Sequence, residues 1–205
     1  MNNERTSFLI PFLILAVLVA ATGGALIYKQ FAPPVYNGIA IHPQKAMPGF
    51  TLQSVNGPVS LESFRGKYIL LYFGYTSCPD VCPIEMATLT AALSKLDPKK
   101  VSDFQVIFVS VDYQRDTPEV SSAFAKRFNS SFIGLSGTQD QINQVTKEYG
   151  IYYKFDPPDP KTGFYIVEHT ALVMVLNRND ELVLIWPFGT QPDQETSDLA
   201  ILANR

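Results

Sequence analysis

Cysteine and histidine are both scarce in this 205-residue chain. Cys78 and Cys82 are its two cysteines, and His42 and His169 its two histidines. Two thiols exclude a multi-disulfide scaffold and any site that draws four Cys/His ligands from one stretch of sequence. Charge is scarce as well. Charged residues make up 17%, with 16 basic side chains against 19 acidic ones and a formal net charge of −3. A nucleic-acid binder would show a basic excess, which is absent. Aromatic residues reach 12%, which excludes a disordered acidic tail. No internal repeat or low-complexity block is visible. Any metal or redox chemistry must therefore be done with two thiols and one or two imidazoles.

The apolar residues, 46% of the chain, are unevenly spread. Phe8 to Tyr28 carries no charge across 21 residues. A helix of that length matches a hydrocarbon core of about 30 Å. Pro11, Gly23 and Gly24 are tolerated in such helices. The competing reading is a cleaved signal peptide, with Phe8 to Ala20 as its apolar region and small residues after it. The flank before it carries Glu4 as well as Arg5, a poor basic region, so an uncleaved single transmembrane anchor over 8–28 is expected. Residues 1–7 then form a cytoplasmic N-terminus. Residues 29–45, with Pro33, Pro34 and Pro43, read as an extended tether. Residues 46–205 form the folded domain; with residues 1–29 set aside, the remainder carries 14 basic and 18 acidic side chains.

In that domain the pattern is regular. Phe50–Gln53 and Val59–Leu61 flank Asn56-Gly57, a hairpin signal. Tyr68–Phe73 and Phe104–Val111 are continuous apolar runs, which suit strands buried on both faces. Ile84–Leu96 reads as a helix with Met86, Leu89, Ala92 and Leu96 on one side. Thr117-Pro118 opens another helix, with threonine as cap and proline first. Ile133–Leu135 is a short strand, and Gln139–Tyr149 a helix ended by Gly150. Ala171–Leu176 and Leu182–Ile185 pair across the turn 177–180, and a last helix covers 193–202. The alternation predicts an α/β domain with a mixed central sheet.

The segment Thr76-Ser77-Cys78-Pro79-Asp80-Val81-Cys82-Pro83 lies where a buried strand hands over to a helix. A thiol at a helix N-terminus loses its proton more easily. Proline is best placed first in a helix, so Pro83 is expected there, with Cys82 near the cap and Cys78 in the loop before it. Asp80 either caps the helix or orients the loop. The pair itself reads as a structural disulfide, a reactive dithiol or a metal clip. A disulfide of such short span stabilises little by chain entropy. Zinc lacks a fourth ligand unless a carboxylate joins, whereas two thiolates and one imidazole suit copper. Met86 is read as core and His42 as incidental. Asp112 with Arg115-Asp116 reads either as a shell supporting the thiols or as a surface turn with an ion pair.

The string Tyr72-Phe73-Gly74-Tyr75-Thr76-Ser77-Cys78-Pro79-Asp80-Val81-Cys82-Pro83 resembles the signature of the Sco/SenC proteins. Ser110–Pro118, Phe132–Gly137 and Tyr165–Thr170 resemble three further segments of that family, in the family's order. The resemblance covers roughly residues 46–204. Glu168 and Thr170 stand where the family has aspartate and serine, and they keep the charge and the hydroxyl. The resemblance implies a thioredoxin-like fold, here with an N-terminal β-hairpin and a transmembrane helix before it. It implies a copper ion, Cu(I) or Cu(II), held by Cys78, Cys82 and His169. It also implies a role in assembling the dinuclear copper centre of cytochrome c oxidase. The partner would be the oxidase subunit that bears copper, or another copper chaperone. The domain would face the periplasm from a cell inner membrane, or lie on the mitochondrial inner membrane in a eukaryote.

Two rivals use the same cysteines. One is a thiol–disulfide oxidoreductase, with Cys78 and Cys82 as a redox-active pair that keeps a partner's copper-ligand cysteines reduced. Against it, three residues separate the cysteines where those enzymes use two. Residues 161–186 also contain no proline, so the cis-proline those enzymes place opposite the pair is missing, and His169-Thr170 takes that neighbourhood. The other rival is a thiol peroxidase.

Overall fold

In the computed structural model of the chain the described residues are 14–15, 17–24 and 34–204. They belong to two compact units, Met1–Val35 and Tyr36–Arg205. In the first unit, residues 14–15 and 17–24 are helical, and Ile14, Leu15, Val17, Leu18 and Val19 are all more than half exposed. The Thr22 hydroxyl donates back to the Leu18 carbonyl at 2.8 Å, so this polar side chain is satisfied within the helix. The other positions of the expected 8–28 anchor lie outside the described residues, as do residues 1–7. No helix among the described residues is long and apolar enough to cross a membrane.

The second unit runs β1 Ile39–Ala46, β2 Thr51–Ser54, β3 Gly57–Ser60, a 3₁₀ turn Leu61–Phe64, β4 Tyr68–Gly74, α1 Val81–Ser94, α2 Pro98–Val101 and β5 Phe104–Ser110. It continues with α3 Pro118–Phe128, β6 Ile133–Leu135, α4 Gln139–Tyr149, β7 Tyr153–Phe155, β8 Val167–His169, β9 Leu172–Leu176, β10 Glu181–Pro187 and α5 Pro192–Leu202. Six strands form one mixed sheet in the order β1-β10-β9-β4-β5-β6. β4, β5 and β6 run parallel, while β9 pairs antiparallel with β4 and β10. All seven residues of β4 are buried, as a strand with both faces covered requires. The expected hairpin forms as β2–β3, with Gly57 at φ 106. The α/β class and the mixed sheet are as the alternation predicted.

Local signals act as read. The Thr117 hydroxyl accepts the Val120 N–H at 3.3 Å, with Pro118 first in α3. Gly150 ends α4 in the left-handed region at φ 70. Two readings need correction. Part of the segment read as tether is a strand: β1 pairs antiparallel with β10 and forms one edge of the sheet. Its Asn37 and Gly38 approach is fixed by Asp198, whose carboxylate accepts both backbone N–H groups and the Trp186 indole N–H at 2.8–2.9 Å. Pro83 is also not first in its helix. α1 begins at Val81, so Pro83 is its third residue. That position costs little, because the first four N–H groups of a helix have no intrahelical acceptor and the residue four before, Pro79, lies outside the helix.

The face between α1 and α5 buries two carboxyl groups. Glu85 and Glu195 are buried to 2% and 0% exposure, and neither oxygen of Glu195 meets a protein donor. Burial pushes the Glu195 carboxyl up to about 9, with the nearby Glu85 and Asp198 adding to it, and burial pushes Glu85 up to about 7. Below the unfolded carboxyl range near pH 4.5 both states hold the proton and nothing is lost. Above it the unfolded chain releases the proton while the folded one retains it, so stability falls with rising pH until the folded value is passed. Glu195→Gln removes the Glu195 part of this slope, which is at most about 1.4 kcal/mol per pH unit for one group. Urea unfolding at pH 4 and pH 8 is expected to show the variant close to the parent at pH 4 and clearly more stable at pH 8.

Candidate metal centre

β4 ends at Gly74 in the sheet's interior, and the chain leaves through Tyr75–Asp80 into α1. That exit carries Cys78 in the loop and Cys82 as the second residue of the helix. Asp80 occupies the cap position but makes no side-chain capping bond. The Cys78 sulfur does that work, accepting the Cys82 N–H at 3.4 Å. The loop behind it is held by Asp116, 4% exposed, which accepts the Thr76 N–H at 2.8 Å, the Thr76 hydroxyl at 2.6 Å and the Ser110 hydroxyl at 2.6 Å. Of the two readings of this acidic turn, Asp116 fits the supporting shell, and Asp112 with Arg115 makes the ion pair.

His169 comes from the end of β8, which pairs only with β7. Its Nε2 lies 3.4 Å from the Cys82 sulfur, 87 residues back in sequence. Its Nδ1 lies 3.1 Å from the Thr170 carbonyl. The side chains of Cys78, Cys82 and His169 place one ligand atom each within 4.8 Å of one another, the only such group of three among the described residues. Both cysteines are free, Cys82 fully buried and Cys78 half-buried. Cys78 and His169 open onto a cavity of about 230 Å³ lined also by Tyr75, Pro79, Val81, Ile166 and Glu168, while Cys82 lies behind it. His42 lies on β1, in the segment read as tether, and is not part of the group; Met86 is buried in the core, as read from sequence.

The two thiols are unequal. The Cys78 thiol is held far below the ordinary thiol range, first by a hydrogen bond from the Cys82 thiol, against its own burial, and further by His169 and backbone N–H groups. Burial pushes the Cys82 thiol far up, and its hydrogen bond to Cys78 adds to that. The pair thus joins a half-buried thiol that ionises readily to a fully buried one that does not. Two residues that sequence reasoning passed over shape the other wall. Tyr75 and Tyr72 present edges to the imidazole at ring-centroid separations of 5.7 and 6.3 Å. Burial pushes Tyr75 up to about 12, so it stays a neutral phenol beside the thiolate. Their signal was the aromatic pair at i and i+3 across the end of a fully buried strand. Thr170 also has a definite task, since its hydroxyl accepts the Tyr152 N–H at 3.0 Å and pins the turn after His169.

Two sulfur donors and one imidazole, converging from a helix start and a separate arm, form a soft three-ligand set with an open side. An α/β domain carrying such a set is a metal-binding or thiol-redox protein. The chain belongs to the SCO1/SenC family, whose profile matches residues 40–204. It is similar to the solution structure of apo Sco1 from Thermus thermophilus, at 38% identity and TM-score 0.71, over 84% of this chain and 96% of that one. It is also similar to Bradyrhizobium japonicum ScoI with copper bound, at 34% identity and TM-score 0.69, over 77% of this chain and 99% of that one. Among curated relatives it is 38% identical to the mitochondrial protein SCO2 of Saccharomyces cerevisiae over 136 residues, 65% of this chain and 45% of that protein. It is 33% identical to the human mitochondrial SCO1 homolog over 123 residues, 60% of this chain and 40% of that protein. The chain therefore spans less than half the length of these two relatives.

Two outcomes test the geometry. A depressed Cys78 should react with iodoacetamide at a rate nearly flat from pH 5 to 8, where an ordinary thiol of pKa about 8.5 gains roughly tenfold per pH unit. Peptide mapping should find Cys82 unmodified in the folded protein. Separately, a Cβ at Gly74 would stand 2.8 Å from the Cys82 sulfur. Gly74→Ala is expected to cost about 1–3 kcal/mol in urea unfolding, as overpacking does.

Proposed function

We propose that this chain is a membrane-anchored copper chaperone. Cys78, Cys82 and His169 hold one copper ion as cargo, Cu(I) or Cu(II), and pass it to the dinuclear copper centre of cytochrome c oxidase. The observation that carries the reading is the convergence of two free cysteines and one imidazole in a family whose solved members include copper-bound forms. Soft thiolates with a borderline nitrogen match copper, and the three-ligand set leaves room for an incoming ligand from a partner. The receiving partner is the copper-bearing oxidase subunit or another copper chaperone. The uncharged run 8–28, with exposed apolar side chains on its described helical residues, supports a single-pass anchor. Thiol chemistry tied to exported copper supports a domain on the extracytoplasmic side, periplasmic in a bacterium.

Each residue has a separate task. Cys78 offers a ready thiolate at the mouth of the cavity. Cys82 offers the inner sulfur and must give up its proton as copper binds. His169 closes the set from the opposite arm. The depressed Cys78 also favours a second reading, in which the dithiol reduces a partner's cysteines through a mixed disulfide. In that case Cys78 attacks, Cys82 resolves, the two form a disulfide and the partner leaves as a dithiol.

Titration of the reduced full-length chain in detergent separates the readings. One equivalent of copper should bind with thiolate-to-metal charge-transfer absorption. His169→Ala should change that spectrum and weaken binding by more than the roughly 10–100-fold typical of an outer-shell substitution. An unchanged spectrum and affinity in His169→Ala would overturn the three-ligand site. Because Cys78 is already ionised and Cys82 is not, binding at pH 7 should release about one proton from the thiol pair, and affinity should fall as pH drops. Calorimetry in buffers of different ionisation enthalpy reads that proton.

A further inference from the structure

The turn that follows β5 touches both halves of the site. Asp116 holds the cysteine loop through Thr76, as described above. One residue earlier, Arg115 reaches the other way. Its Nε donates to Asp112, and one terminal nitrogen donates to the Tyr165 carbonyl at 3.1 Å. The guanidinium carbon lies 3.5 Å from the centre of the Tyr165 ring. The Tyr165 hydroxyl closes the circuit by donating to Asp112 at 2.9 Å, and Asp112 is fully buried. Single bonds to two different partners, with the guanidinium stacked on the Tyr165 ring, fix direction as well as distance, although the second terminal nitrogen is buried without a partner.

Tyr165 lies four residues before His169, on an arm otherwise tied by backbone bonds from Asp156 to the Ile166 carbonyl and from Asp159 to the Phe164 carbonyl and by the short β7–β8 ladder, but by no other ion pair among the described residues. Its neighbours Phe164 and Ile166 are 46% and 45% exposed, so burial does not pin them. β8 is three residues long and sits in a two-stranded ribbon outside the main sheet. Tyr113, from the same turn, packs edge-on against Phe155 of β7, the other strand of that ribbon, at 5.2 Å between ring centres. The turn 112–116 is thus the common reference for the cysteine loop and the histidine arm.

We propose that Arg115 is a positioning residue for His169: clamped by Asp112, it holds the Tyr165 segment so that the imidazole stays within reach of Cys82 and copper is retained. This rests on the copper-binding reading above. Arg115 acts through the arm and contributes no ligand.

The test uses the full-length reduced chain in detergent, loaded with one equivalent of Cu(I), with bathocuproine disulfonate as acceptor to read the release rate. Arg115→Ala is expected to speed release about 10–100-fold. Arg115→Lys, which keeps the charge and loses the planar fork, should fall between the parent and Arg115→Ala. In a His169→Ala background Arg115→Ala should add less than about twofold, because the residue whose position it sets is gone. With Cu(II), the charge-transfer spectrum of Arg115→Ala should move toward that of His169→Ala. If Arg115→Ala does not fold, Arg115→Lys and Asp112→Asn carry the same comparison. A release rate unchanged in the folded Arg115 variants, or the same acceleration with and without His169, overturns the proposal while leaving copper binding intact. A parent chain that takes up no copper overturns the reading on which the proposal stands, and the proposal with it.

Discussion

The sulfur of Cys82 is packed against the backbone of Gly74, and the rest of this end of the molecule is arranged around that contact. It is possible only because β4 finishes without a side chain at the point where α1 begins. Burial there keeps the Cys82 thiol protonated. The Cys82 backbone N–H meanwhile donates to the Cys78 sulfur and favours its ionisation. One close approach thus makes two cysteines of the same motif chemically unlike. It also sets the height at which an imidazole must arrive to meet the inner sulfur.

The Cys78 sulfur occupies the role that a serine or aspartate oxygen takes at most helix starts. The cap and one of the three candidate ligand atoms are therefore the same atom. When that sulfur bonds to anything else, the first turn of α1 loses an acceptor for the Cys82 N–H. Local helix stability and the state of the thiol are linked through this geometry, and Pro83, with no N–H to satisfy, limits how many donors are stranded. The arrangement suits a thiol that must exchange partners without unravelling the helix that carries it.

Much of this fold was legible because its signals are local. β4 and β5 are continuous apolar runs, the start of α3 is a threonine–proline pair, and α4 stops at a glycine with positive φ. β1 was missed because nothing local marks it. It contains Pro43, most of its residues are exposed, and its strand conformation is imposed by β10 and by Asp198 holding Asn37 and Gly38. The helix start was misplaced by two residues, since proline is tolerated throughout the first turn and sequence rules favour its first position. The cysteines announced themselves by spacing at a strand-to-helix junction. His169 did not: a single histidine 87 residues away has no periodicity to tie it to the pair, and only the likeness of its flanking segment to a known family pointed to it. Asp112, Arg115 and Asp116 were ambiguous for a simpler reason. A short run of charges can face outward or inward, and here neighbours in sequence do different things, two forming the clamp on Tyr165 and one supporting Thr76.

The first and last strands of the main sheet are poor templates for a further strand. β1 carries Pro43, which has no N–H to offer, and Lys45, whose charge resists desolvation, and the ladder to β10 slips between Ala40 and Lys45. Such features discourage edge-to-edge association. At the other side β6 is only three residues long, and its end is already occupied by the bridge between Gln53 and Ser136. Self-recruitment by sheet extension, the route by which many α/β proteins aggregate, is closed at both margins. What stays open to another protein is the loop cluster at the end of β4.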